Sequence, residues 1–168
     1  MKNTAKKSQS ETIKLEKAKA DDLELIMAWR SNPDIYRYFY IQNSPLTWDE
    51  HIKFWESREN RIDWMILYKQ KKKWRKVGSV NAKNLSGKIP EVGVFIGETT
   101  LWGKGLGKKA VSLVLDWLEK EGYKAAEARV SVENVGSQKL FEGCSFLKEK
   151  VISDGKEWLY SVKLSNKK

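Results

Sequence analysis

The chain has 168 residues, 40% of them hydrophobic and 32% charged, which describes one globular domain with its own core rather than a disordered segment. No apolar run reaches membrane-spanning length, and the polar stretch Met1 to Ser10 does not read as a signal peptide, so a cytoplasmic protein is expected. One cysteine, Cys144, and one histidine, His51, exclude an internal disulfide and argue against a zinc site, so no metal is expected.

A basic tail is predicted for residues 1–11 and another for 165–168, around a single domain at 12–164. Thr12 to Ala18 alternates and reads as a first strand. Asp21 and Asp22 can cap a helix carrying Leu23, Leu25, Ile26 and Trp29. Pro33 interrupts it, and a short helix with Ile35, Tyr36 and Phe39 follows. Thr47, with Asp49 and Glu50 behind it, opens a third helix whose stripe is Trp48, Ile52 and Trp55. Trp64 to Lys69 and Lys76 to Asn84 read as strands joined by a hairpin over the basic run KQKKKWRK. Ile89 to Ile96 is an apolar strand long enough to be central. A helix after Gly107 presents Leu106, Ala110, Leu113, Val114 and Trp117, and Gly122 ends it. Ala126 to Val132 alternates as a strand, Asn134 caps a short helix, and Phe146 to Ile152 with Glu157 to Leu164 forms a hairpin turning at Asp154-Gly155. This order implies a mixed α/β (α+β) sheet of about seven strands with helices on both faces.

The sharpest local signal is Gly103-Lys104-Gly105-Leu106-Gly107-Lys108, between the central strand and a helix. A glycine-rich turn feeding a helix N-terminus is an anion site, because the first helical amides lack internal partners and the helix dipole adds positive charge. A Walker loop would need Ser or Thr after Gly107-Lys108, and Lys109 stands there. A dinucleotide fingerprint needs one more residue between the glycines. A different phosphate ligand is indicated. The net charge of +10 fits an anionic partner, although the lysine run and tails also read as solvated surface.

These residues resemble the GNAT superfamily of N-acetyltransferases. Its signature is Gln/Arg-x-x-Gly-x-Gly/Ala after the fourth strand, then a helix, a fifth strand, and Asn-x-x-Ser/Ala before a second helix. Trp102 stands at the Gln/Arg place, Gly103 to Lys108 fills the loop, and Asn134-Val135-Gly136-Ser137 follows. Leu140-Phe141-Glu142-Gly143-Cys144-Ser145-Phe146 corresponds to the family's Leu-Tyr-Glu-Lys-x-Gly-Phe. The resemblance implies a mostly antiparallel sheet with splayed strands 4 and 5, and acetyl-CoA held between them. Backbone groups of Val94, Phe95 and Ile96 would meet the pantetheine and thioester, with an amide stabilising the oxyanion. The amides of Gly103, Lys104, Gly105, Leu106, Gly107 and Lys108 would take the pyrophosphate. Asn134 would hydrogen-bond the pantetheine arm, or serve only as a helix cap.

The amine attacks directly in this family, so Cys144 is expected to be a buried small residue. Phe141 replaces the usual tyrosine acid, and Ser145 a usual glycine. In relatives that acetylate ribosomal-protein N-termini, the serine of Asn-x-x-Ser can protonate the leaving thiolate, making Ser137 the acid candidate; a capping hydroxyl is the alternative. Glu91 and His51 are the candidate bases, each also readable as structural. Ala28-Trp29-Arg30-Ser31-Asn32-Pro33-Asp34 with Asp49-Glu50-His51-Ile52-Lys53-Phe54-Trp55 resembles acetyltransferases of nucleotide-linked amino sugars, such as the pseudaminic acid pathway enzyme. That implies acceptor contacts from Arg30, Tyr38, His51 and Trp55, with Lys53, Tyr36 and Tyr40 as further candidates. Protein α-amines, a CoA-binding fold without catalysis, and an RNA- or ribosome-binding module are the other readings. Either a monomer or a homodimer is compatible.

Overall fold

The computed structural model describes residues 12–165. The predicted N-terminal tail, and the predicted C-terminal tail beyond Ser165, lie outside the described residues. Seven strands form one sheet: β1 (Ile13–Lys17), β2 (Arg61–Gln70), β3 (Lys73–Lys83), β4 (Glu91–Ile96), β5 (Ala125–Ser131), β6 (Leu147–Ile152) and β7 (Glu157–Lys163), in the order β1-β2-β3-β4-β5-β7-β6. All neighbours are antiparallel except β4 and β5. Among the described residues the α-helices are α1 (Leu23–Arg30), α2 (Pro33–Tyr36), α3 (Trp48–Glu56), α4 (Leu106–Lys120) and α5 (Val135–Gly143).

Alternation along each strand divides the core in two. Val80, Val92, Ala128, Val130 and Tyr160 pack with Ala110, Val111, Val114 and Leu118 of α4. On the other face, Met65, Leu67 and Phe95 pack with Ile26 and Trp29 of α1 and Ile35 beyond α1. The helices begin where the side chains offer caps: Asn32 Oδ1 accepts the Asp34 amide at 3.0 Å, and Thr47 and Glu50 close a reciprocal capping box.

Four local expectations are corrected. Asp22 does not cap α1; its carboxylate turns back to the Lys19 amide at 2.9 Å and ion-pairs with Lys76. The α3 stripe is not Trp48, Ile52 and Trp55, since the buried residue of that helix is His51. The basic run is not a loop: both strands continue through it, and only Lys71 and Lys72 turn, at φ 45° and 68°. Leu113 is exposed, and α4 packs instead through Val111 and Leu118 beside Ala110 and Val114.

The junction of β4 and β5 decides where a ligand can enter. One residue pair, Glu91 with Glu127, is in register, and the Glu127 amide donates to Pro90 O at 2.9 Å. Beyond it each strand follows a different partner. β5 pairs with β7 over its whole length. β4 stays with β3, whose Val77 carbonyl accepts the Gly97 amide at 2.8 Å. Gly97 also lies flat on the Trp29 indole, which occupies the space a Cβ would need, 2.1 Å away. The two central strands therefore splay.

Candidate functional site

The splay opens a cleft of about 990 Å3, lined by both strands, the glycine loop, the start of α5 and the α1–α3 region. At its glycine-loop end, Gly105 is the N-cap of α4 at φ 75°, a left-handed conformation costly to residues with a Cβ. A Cβ built at Gly103 or Gly105 would meet nothing within 4 Å, so the turn faces open space. The amides of Gly103 through Lys108 find no acceptor among the described residues, while the Lys109 amide begins the helical ladder on Gly105 O at 3.1 Å. Six consecutive donors at the head of a 15-residue helix fit a diphosphate. Gly103, Gly105, Leu106, Gly107 and Lys108 line the cleft, whereas Lys104 is exposed and does not. Trp102 donates its indole N–H to Ile96 O at 2.8 Å, satisfying a carbonyl at the exposed end of β4.

Val94, Phe95 and Ile96 line the opposite wall of the same opening. On the α5 side, Asn134 Oδ1 accepts the Ser137 amide at 3.0 Å, so its carbonyl is committed to the cap. Ser137 is half-buried in the cleft, and its hydroxyl has no hydrogen-bond partner among the described residues. Phe141 is core, packed edge-on to Phe146 at 5.0 Å. Burial pushes the Cys144 thiol up, which keeps it protonated and unreactive.

The floor carries a polar stripe on one sheet face: Asn81 and Lys83 of β3, Glu91 of β4, Arg129 and Ser131 of β5, and Glu157 of β7. Glu91 is buried and doubly paired, to Lys83 at 2.8 Å and to Arg129 at 3.4 Å. It thus bridges β3 and β5 at the point where the splay begins.

The far end is built from side chains. Asp63 of β2 accepts Arg61 in a two-pronged contact and Arg58 Nη1 at 2.8 Å. Arg58 lies 3.2 Å from the Trp55 ring centroid, and Phe54 has Arg30 and Arg61 over its ring at 5.4 and 5.1 Å. Arg30 bonds Gln42 at 3.1 Å, but its buried Nε has no partner among the described residues. Burial, then the Arg61 charge, pull the Arg30 guanidinium below its ordinary value, as expected of cations packed together without enough counter-charge. His51 donates Nε2–H to Leu23 O at 3.0 Å, which leaves Nδ1 as a buried lone pair without a partner. Burial, outweighing that bond, and the Arg30 charge lower its affinity for a proton. Tyr38, Tyr40 and Trp55 line this end; Lys53 and Tyr36 do not.

Sequence reasoning brought Arg30, His51 and Trp55 to this end but missed Arg58, Arg61, Asp63 and Glu157. Arg61-Ile62-Asp63 carried a signal, because residues two apart on a strand share a face. Glu157 carried none, since an acid opening a strand is ordinary.

The acetyltransferase (GNAT) domain family matches residues 12–146. An uncharacterised protein of Methanocaldococcus jannaschii is 50% identical over 162 residues, 96% of this chain and 33% of that protein. The chain therefore spans about a third of the length of the curated relative it matches. A crystal structure of a domain from the same organism superposes with a TM-score of 0.88 at 52% identity, covering 90% of this chain and 98% of that one. Spermidine N-acetyltransferase from Vibrio cholerae, in complex with CoA and spermine, superposes with a TM-score of 0.78 at 18% identity, covering 92% of this chain and 97% of that one. An aminoglycoside acetyltransferase in complex with coenzyme A gives 0.77 at 12% identity, covering 90% and 94%. The latter two likenesses concern the fold. No helix among the described residues is long and apolar enough to cross a membrane.

Proposed function

The chain belongs to the GNAT acetyltransferase domain family, and from that premise we propose that it transfers acetyl from acetyl-CoA to a primary amine by direct attack. The observation that carries this is the row of unpaired amides from Gly103 to Lys108 beside strands that part after a single registered pair. The loop amides hold the pyrophosphate, Lys108 adds a mobile charge, and the edges of Val94, Phe95 and Ile96 take the pantetheine arm. Lys104 contributes its amide rather than its side chain. Asn134, committed to its cap, holds Ser137 in place and can offer the arm only its amide N–H groups. Bound acetyl-CoA supplies an activated thioester. A β4 amide donates to its carbonyl oxygen as charge develops, and the Ser137 hydroxyl protonates the departing sulfur.

The acceptor is a nucleotide-linked amino sugar, within a chain similar to amino-sugar acetyltransferases in its α1 and α3 segments. Charge supports an anionic acceptor over a polyamine: three guanidiniums, Arg30, Arg58 and Arg61, line this end with Asp63 and Asp34, and Asp34 is itself paired with Arg37. A polycation would be repelled there, while a diphosphate would be held in fork geometry. Trp55 and Tyr38 offer stacking surfaces, and His51 Nδ1 accepts a hydroxyl or amide proton. Glu91, with its carboxylate held by two cations, shapes the floor and is the family-like base candidate.

The decisive experiment follows thiol release from acetyl-CoA with UDP-glucosamine, an aminoglycoside, spermidine and an N-terminal peptide in parallel. UDP-glucosamine should be preferred, and the preference should weaken with salt as the arginine contacts are screened. Reaction with the peptide alone refutes the sugar acceptor; no effect of acetyl-CoA on the melting temperature refutes cofactor binding itself.

A further inference from the structure

Two buried carboxylates face the cleft floor, and their surroundings differ. Glu91 is spanned by Lys83 and Arg129. Glu157 is 8% exposed and forms no ion pair among the described residues. Its one hydrogen bond comes from Ser153, whose hydroxyl donates to Oε2 at 2.5 Å. A desolvated carboxylate without a cation is unfavourable unless a cation arrives with a ligand.

The local backbone is strained to keep this arrangement. Ser153, Asp154 and Gly155 are all left-handed, at φ 55°, 53° and 86°, and two of the three carry side chains. That turn delivers the Ser153 hydroxyl to Glu157. It is tied to the cleft wall, because Lys156 donates to Ser153 O at 3.1 Å and accepts from the Val132 amide at 3.0 Å. Glu157 lies directly across from Ser131, which leads into the Asn134 cap and Ser137. On the other side, the Lys156 ammonium sits 5.9 Å from the Tyr40 ring, so the turn also meets the acceptor end. The charged side chains on the same face of the neighbouring strands are Arg129 of β5, engaged by Glu91, Glu127 of β5 opposite Ser161, and Lys150 and Glu149 of β6, the latter accepting the Ser161 hydroxyl.

We propose that Glu157 receives the acceptor's ammonium and takes its first proton. This rests on the N-acetyltransferase reading above. The ammonium N–H bond breaks, its electron pair stays on nitrogen, and the proton moves to Glu157. The nitrogen pair forms the N–C bond to the acetyl carbonyl carbon while the C–S bond breaks. The second amine proton ends on sulfur by way of Ser137, and Glu157 returns its proton to water. The products are amide, thiol and one proton. The Ser153 bond occupies Oε2 and leaves Oε1 for the amine.

The test compares wild type, Glu157→Gln, Ser153→Ala and Glu91→Gln, with acetyl-CoA and UDP-glucosamine, or whichever panel amine wild type acetylates fastest. Glu157→Gln should lose about 100-fold or more in kcat/KM, keep the acetyl-CoA-induced rise in melting temperature, and lose the acid limb of the kcat/KM profile. Ser153→Ala, which frees Oε2, should keep most of kcat and raise the acceptor KM several-fold with acetyl-CoA affinity unchanged. Glu157→Gln retaining more than a tenth of wild-type kcat/KM, or Glu91→Gln alone abolishing the acid limb, would overturn the assignment. If Glu157→Gln does not fold, the Ser153→Ala kinetics decide, and an unmoved acceptor KM overturns it. If wild type acetylates no amine while acetyl-CoA still stabilises it, the transferase reading falls and takes this one with it; an active wild type with an unaffected Glu157→Gln sinks this one alone.

Discussion

The two ends of the cleft are built from different material. At the glycine-loop end the ligand-facing groups are main-chain amides, with Lys108 the one charged side chain of the loop that lines the cleft. At the α1–α3 end they are guanidiniums, rings and the carboxylates of Asp63 and Asp34, Asp63 cross-linked to two of the guanidiniums. A backbone site needs only a conformation, so it can serve one constant ligand across many sequences. A side-chain site can be rewritten one residue at a time, so it is where specificity resides.

Breaking the ends separately tests that division. The largest effect is expected for Gly105→Glu, which sets a carboxylate among the donors and strains a left-handed position. Losing two charge-assisted hydrogen bonds at roughly 2 kcal/mol each weakens acetyl-CoA by about 1000-fold, while the left-handed strain, about 1–2 kcal/mol, lowers the melting temperature of the free protein by only a few degrees. Calorimetric titration measures it; unchanged affinity refutes the loop assignment. Next, Ser137→Ala should lower kcat about 100-fold, with little change in the acceptor KM, if its hydroxyl protonates the thiolate. An equal loss in acetyl-CoA affinity would mark it as structural instead.

Asp63→Ala attacks the other end. Arg58 and Arg61 lose their shared partner, so the acceptor KM should rise about tenfold and stability fall by roughly 2 kcal/mol, or about 4–8 °C in Tm. Acetyl-CoA affinity should stay put; its loss would show that the ends are not separable. The smallest effect concerns His51. Its folded-state proton affinity lies below the ordinary value of 6.5, so the unfolded chain binds the proton first. Stability should therefore decline as pH falls below about 6.5, and His51→Phe should flatten that slope in a series of melting curves.

The same contrast explains what the sequence made legible. The loop demands glycine at left-handed Gly105, and α5 demands a capping residue at Asn134, so each requirement sits in a short contiguous stretch. The succession of strands and helices along the chain followed from periodicity, and the splay from family likeness. The guanidinium cluster did not, because Arg58, Arg61 and Asp63 straddle the end of α3 and the start of β2, and only the fold brings Arg30 of α1 against them. The α3 stripe was misread for a related reason: its tryptophans face solvent and cleft, and a histidine fills the buried position. Glu157 was invisible because a strand-opening acid is ordinary until its neighbours are known to lack a counter-ion.

The contact between Gly97 and Trp29 connects the two ends. With an indole carbon only 2.1 Å from where a Cβ would stand, the terminal turn of β4 rests on a plate supplied by α1. The same indole donates to Glu98 at 3.3 Å and meets Phe95 edge-on at 6.2 Å. The aperture that admits a thioester is thus gauged by a residue belonging to neither of the strands that frame it.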